Sequence, residues 1–161
     1  MVIFRPTYLI DGDVTDISLD ELQNDGIKGI IFDLDSTLLA PRSGRLTAEC
    51  EKWLDAARVR FKVAVVSNNK NDPYIEQVRQ HLNMPVLHRA RKPSTKLFLQ
   101  VLETWGLAAS QVAVVGDRPL TDVWGGQRAG MKTVLVWPLK TQHEPGWVKL
   151  ARRLERVVIK P

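Results

Sequence analysis

The chain has 161 residues, 44% hydrophobic and 25% charged, with a formal net charge of +5 and a pI near 9.6. That length suits one domain with a true core, and no apolar run approaches the roughly 18–20 residues of a helical membrane span. The lone Cys50 excludes an internal disulfide and reads as a small buried residue in a helix. The basic balance favours anionic partners without choosing among phosphorylated substrates, an anionic membrane surface and nucleic acid.

Residues 1–26 read as a lead-in. Met1–Arg5, followed by Pro6 and Asp11, is too short for a secretory signal, and Ser18 can cap a polar helix running through Leu22. From there short apolar runs alternate with helical patterns. Gly29–Phe32 is the first run. Thr47 then caps a helix whose apolar side is Trp53, Leu54, Ala57 and Phe61. After the run Val63–Val66, Asp72-Pro73 opens a helix with Tyr74, Ile75, Val78 and Leu82 on its apolar side. Val86–Leu87 follows, and Ser94 caps a helix bearing Leu97, Phe98, Val101 and Leu102, closed by Gly106. Val112–Val115 precedes a helix from about Thr121 to Ala129 that stops at Gly130, and Thr133–Val136 is the last run. Trp124 and Trp137, near strand ends, read as core residues or interfacial anchors. The runs show little period-two alternation, as expected of strands buried on both faces. A β-α-β-α order implies an α/β fold with a parallel sheet and right-handed crossovers.

In such a sheet ligands bind outside the strand C-termini, and the unusual polar residues fall there. Asp33-Leu34-Asp35-Ser36-Thr37 follows the first run, and Ser67-Asn68-Asn69 the second. Arg91-Lys92-Pro93 precedes a helix, and Gly116-Asp117-Arg118-Pro119-Leu120-Thr121-Asp122 follows Val112–Val115. A lone aspartate after a strand is more often a helix cap than a catalyst, and a lone lysine is usually solvated. Four segments together supplying acid, hydroxyl, lysine and acid argue for a site. Asp33 and Asp35 repel unless a cation lies between them or one is protonated. Phosphoryl transfer needs such a set, because charge on the nonbridging oxygens must be neutralised while a nucleophile attacks in line. Carboxylates of Asp33 and Asp117 suit a hard cation such as Mg²⁺. The Ser67 hydroxyl and the backbone N–H groups after it, beginning with Asn68, can cradle phosphate, and Lys92 offers the opposing charge. One aspartate can attack phosphorus while the other moves the proton.

Over roughly residues 25–137 these segments, in this order, resemble the haloacid dehalogenase-like (HAD) superfamily. The resemblance implies a three-layer Rossmann-like fold. It makes Asp33 the nucleophile and a metal ligand, and Asp35 the general acid/base that also lends a backbone carbonyl to Mg²⁺. Ser67 matches the phosphate-binding hydroxyl and Lys92 the stabilising lysine. Asp117 and Asp122 match the acidic metal motif G-D-x-x-x-x-D, with Asp122 in a supporting position, and Thr37 supports the first loop. Ile27–Leu38, Ser67–Asn69, Arg91–Pro93 and Gly116–Gly130 are similar to the YqeG-like branch, subclass IIIA, which includes phosphatidylglycerophosphate phosphatases of mitochondria and plastids. The chain departs from it at Ser36 and Arg118, where Asn and Gln are common. The implied activity is a Mg²⁺-dependent phosphomonoester phosphatase working through an aspartyl-phosphate, with phosphatidylglycerophosphate as the expected substrate and a soluble phosphometabolite or phosphoprotein as the alternative.

The spacings leave no room for a cap domain between Thr37 and Ser67, or between Ser67 and Lys92. An open site suits a large substrate, a lipid headgroup among them. The whole chain, 1–161, reads as a single HAD-like domain ending in a basic amphipathic helix over about 146–159. There Trp147, Leu150, Ala151, Leu154, Val157 and Val158 keep helical spacing, with Lys149, Arg152, Arg153, Arg156 and Lys160 elsewhere on the wheel. Such a helix docks on the sheet or lies on an anionic membrane, so the expected location is cytoplasmic, with peripheral membrane contact as an extension. No specific nucleic acid is expected. His81, His88 and His143 have no metal-site spacing. A signalling receiver domain shares the acids and lysine but places its phosphorylated aspartate after the third strand. A non-catalytic RNA- or membrane-binding protein leaves the full catalytic set unexplained.

Overall fold

The computed structural model describes residues 5–40 and 43–139; the C-terminal amphipathic pattern and His143 lie outside them. Six strands form one sheet: β1 (Tyr8–Leu9), β2 (Gly29–Phe32), β3 (Lys62–Val66), β4 (Val86–Leu87), β5 (Val112–Gly116) and β6 (Lys132–Leu135). All pairings are parallel, in the order β1-β6-β5-β2-β3-β4. The chain winds outward from β2 through β3 to β4, then crosses back to β5 on the other side. The switch point therefore lies between β2 and β5, where Phe32 sits opposite Val115.

Among the described residues five α-helices cover the sheet: α1 (Leu19–Asn24), α2 (Ala48–Arg60), α3 (Asp72–Leu82), α4 (Lys96–Trp105) and α5 (Trp124–Arg128). Successive strand residues point to opposite faces, and both faces are dry. Ile30, Phe32, Val65 and Val115 pack with Leu54 and Ala57 of α2 and Ile75, Val78 and Leu82 of α3. Ile31, Ala64, Val66 and Val114 pack with Phe98 and Val101 of α4. This is the three-layer α/β architecture expected, and it explains why the strands carry no alternation.

Caps set several helix starts. The Thr47 hydroxyl accepts from Cys50 N at 3.1 Å and the Ser18 hydroxyl from Glu21 N at 3.2 Å. The Asn71 side chain opens α3 by accepting from Tyr74 N. Three local expectations are corrected. Thr95, not Ser94, holds the cap position of α4, with the Ser94 hydroxyl accepting from Lys96 N at 3.4 Å. The lead-in contains an edge strand, β1, paired with β6. Trp124 and Trp137 are not core residues: they are 37% and 45% exposed, the first beneath the Arg128 guanidinium and the second donating its indole N–H to Asp11.

Candidate active site

Asp33 still belongs to the sheet, since its N–H donates to Val115 O at 2.9 Å. The chain then folds tightly. Leu34 O accepts from the N–H groups of Leu38 and Leu39, and Ser36 takes a left-handed conformation, φ +67. Leu34, Leu38 and Leu39 are buried, which anchors this loop, while Asp33 and Asp35 on either side of Leu34 line an open cleft. Ser67, Asn68, Asn69, Lys92, Arg118 and Thr121 complete its wall.

Lys92 ties three strand ends together. Its ammonium is buried and donates to Asp33 Oδ1 at 2.8 Å and to Asp122 Oδ1 at 2.6 Å. Burial works against its charge, but the carboxylates of Asp122 and Asp33 outweigh that cost and hold it firmly protonated. Burial in turn pushes the Asp122 carboxyl up, to about 6, with the lysine pulling against it. Asn68 fixes the lysine's backbone from the other side. Its amide oxygen accepts from Lys92 N at 2.7 Å, and its amide nitrogen donates to Lys92 O at 3.2 Å. The Asn68 side chain is thus spent on the scaffold.

The last acidic segment reaches Lys92 through an unusual turn. Pro119–Val123 forms a wide π-helical turn before α5, and Asp122 Oδ2 accepts from Arg118 N at 3.2 Å. A side chain at Gly116 would clash here, because its Cβ would lie 2.2 Å from Asp122 Oδ2. Asp117 is fully buried, and its Oδ1 accepts from the Thr37 hydroxyl at 3.1 Å. The carboxylates of Asp33, Asp117 and Asp122 each place an oxygen within 4.8 Å of the others.

A HAD-hydrolase-like family model matches residues 89–153. The chain is 33% identical over 145 residues to the probable phosphatase YqeG of Bacillus subtilis, spanning 89% of this chain and 83% of that protein. The chain belongs to the HAD-like hydrolases. Within that family it is a phosphatase. It is also 33% identical over 158 residues to phosphatidylglycerophosphate phosphatase 1 of Arabidopsis thaliana, a chloroplastic and mitochondrial protein, of which it spans 45%. A haloacid dehalogenase-like hydrolase from Streptococcus pneumoniae shares the fold, with a TM-score of 0.57 at 14% identity over 78% of this chain and 98% of that one.

The donors suit the divalent cation that HAD phosphatases typically use. They are all carboxylate oxygens, the preference of a hard ion, and three carboxylates against one ammonium leave negative charge in excess at a buried spot. Asp122 has both oxygens engaged by Lys92 and Arg118, so Asp33 and Asp117 are better placed to reach such an ion.

The predicted residues converge: Asp33, Asp35, Ser67, Asn68 and Lys92 on the cleft, with Thr37, Asp117 and Asp122 directly behind it. Two further side chains hold Asp35. The Asn69 amide nitrogen donates to Asp35 Oδ2 at 2.9 Å and the Tyr74 hydroxyl to Asp35 Oδ1 at 3.1 Å. Burial is the main influence on Asp35 and holds its carboxyl above the usual range, with these two donors pulling it down and the Asp33 charge pushing it up. Tyr74 falls at helical apolar spacing and carried no polar signal. Asn69 stood in the Ser-Asn-Asn run, where its position directly after a strand was the available clue. Arg118 and Thr121, also on the wall, lay inside the last motif without a role of their own.

Proposed function

We propose that the chain is a Mg²⁺-dependent phosphomonoesterase that works through an aspartyl-phosphate on Asp33, and that its substrate is phosphatidylglycerophosphate. The observation that carries the chemistry is the buried Lys92 bridge, which holds Oδ1 of Asp33, a residue of the cleft wall, and leaves Oδ2 outside that bridge. In this reading Oδ2 attacks phosphorus, the bond from phosphorus to the leaving oxygen breaks, and Asp35 gives that oxygen its proton. Asp35 then takes a proton from water as the water oxygen attacks phosphorus, which frees phosphate and restores Asp33. The Ser67 hydroxyl and the backbone N–H of Asn68 hold the phosphate oxygens. Asp33, Asp117 and the Asp35 backbone carbonyl would hold Mg²⁺, which neutralises charge on those oxygens when bound. Thr37 and Asp122 act behind them, fixing Asp117 and Lys92.

Two observations support the lipid substrate. Phosphatidylglycerophosphate phosphatases stand among the relatives. The stretches between Thr37 and Ser67 and between Ser67 and Lys92 hold a single helix each, α2 and α3, so the cleft stays open to a headgroup in a membrane surface. Peripheral contact with an anionic membrane belongs to the same reading. No helix among the described residues is long and apolar enough to cross a membrane. The deciding experiment is turnover of phosphatidylglycerophosphate in lipid vesicles beside a panel of soluble phosphomonoesters, with and without Mg²⁺. Preference for the lipid supports the assignment; equal or faster turnover of soluble members moves it to a phosphometabolite.

A further inference from the structure

Both oxygens of Asp35 are held by neutral donors from the α3 side. Asn69 holds Oδ2 from the loop after β3, and Tyr74 holds Oδ1 from the first turn of α3. Asn69 is itself fixed on three sides. Its N–H donates to the Ser67 hydroxyl at 3.0 Å, its side-chain oxygen accepts from Asn71 N at 2.8 Å, and its carbonyl accepts from Arg89 N at 3.1 Å. The bond from Asn71 also decides which end of the Asn69 amide points at Asp35. Tyr74 is half-buried, and its hydroxyl donates to Asp35. A short carboxylate on a tight loop can otherwise turn about its last torsion, which is broad for aspartate. With a donor on each oxygen from two different elements, its plane is set.

From this geometry we infer that Tyr74 is a positioning residue: its hydroxyl, paired with Asn69, orients the Asp35 carboxyl toward the leaving oxygen. The inference rests on the reading of Asp35 as the acid of the first step. A phenol on the apolar face of a helix would pack equally well as phenylalanine, so the hydroxyl is the part that needs a reason. Its effect depends on how badly the leaving group needs a proton. A misaligned acid slows departure of a basic leaving oxygen and matters little for one that leaves readily as an anion.

The test is Tyr74→Phe against wild type on two aryl phosphates of similar shape, p-nitrophenyl phosphate and phenyl phosphate. The readout is kcat/KM, which ends at the first phosphoryl transfer and is blind to the shared second step. We expect kcat/KM for phenyl phosphate to fall about tenfold more than for p-nitrophenyl phosphate, within the range general acid catalysis supplies. An equal loss on both substrates, or no loss on either, overturns the inference, since loosened packing has no reason to distinguish the leaving groups. Asp35→Asn, run in parallel, separates the two levels. If it also slows both substrates equally, the acid role of Asp35 falls and Tyr74 falls with it. If it discriminates and Tyr74→Phe does not, the failure is confined to Tyr74.

Discussion

At the scale of single residues, the site is built so that small changes have large and distinct effects. Asp33→Asn keeps the size and the sheet hydrogen bond of Asp33 but removes the carboxylate proposed to attack phosphorus. It is expected to abolish turnover while leaving the fold intact, as read by a steady-state phosphatase assay and circular dichroism. Retained turnover would remove Asp33 as nucleophile. Gly116→Ala acts by collision. The added methyl would meet Asp122 at 2.2 Å from Oδ2 and 2.3 Å from Cγ, and Asp122 is pinned by Lys92 and Arg118. Overpacking of this kind costs about 1–3 kcal/mol, and displacing Asp122 unseats Lys92 from Asp33. Urea unfolding and the phosphatase rate should therefore both fall, and a variant unchanged in both would show that Asp122 yields freely. The acids, Ser67 and Lys92 were legible in the sequence because each is a polar residue directly after an apolar strand or before a helix, where burial gives no other reason for it. Tyr74 was not, since an aromatic at helical spacing satisfies the packing pattern whether or not its hydroxyl is used.

At the scale of elements, most strands were legible to within a residue because Val and Ile runs bounded by turns have few other uses. β1 was missed for the opposite reason: Tyr8–Leu9 pairs at the sheet edge with Leu9 exposed, so it has no buried pattern to read. The segment after β5 reads as one helix and folds as a π-helical turn plus α5, because the backbone must widen to carry Asp122 back to Lys92. α3 offers a pH test. Asp72, at its first turn, accepts from Arg89 and contacts His88. These bonds, Arg89 first, hold its carboxyl below the usual range. A carboxyl depressed in the folded state adds stability that is present above its unfolded value, about 3.9, and disappears as pH falls through the folded value. Asp72→Asn should flatten the decline of the urea midpoint between about pH 5 and pH 2.5 relative to wild type. Parallel curves for the two proteins would mean that this exposed pair contributes nothing measurable.

At the scale of the molecule, parallel strand order follows from β-α alternation, but the order β1-β6-β5-β2-β3-β4 does not, because nothing in the spacing says on which side of β2 the chain resumes after α4. That choice brings Asp117 and Asp122 beside Asp33 and concentrates three carboxylates around one ammonium at the switch point. The fold therefore carries like-charge repulsion at its centre that a divalent cation would relieve. A ligand that binds the folded state alone stabilises it by mass action, by about 2.7 kcal/mol at a hundred times its dissociation constant. For a chain of this size that is a rise in thermal midpoint of about 5–10 °C. Mg²⁺ should raise the midpoint by that order and EDTA should reverse it. Asp117→Asn should be less sensitive to Mg²⁺ and should start from a higher midpoint in EDTA, since one of the repelling charges is gone. If Mg²⁺ at concentrations that saturate catalysis leaves the wild-type midpoint unmoved, the cation is not held by the buried acids. If Asp117→Asn keeps the full shift, Asp117 is not among its ligands.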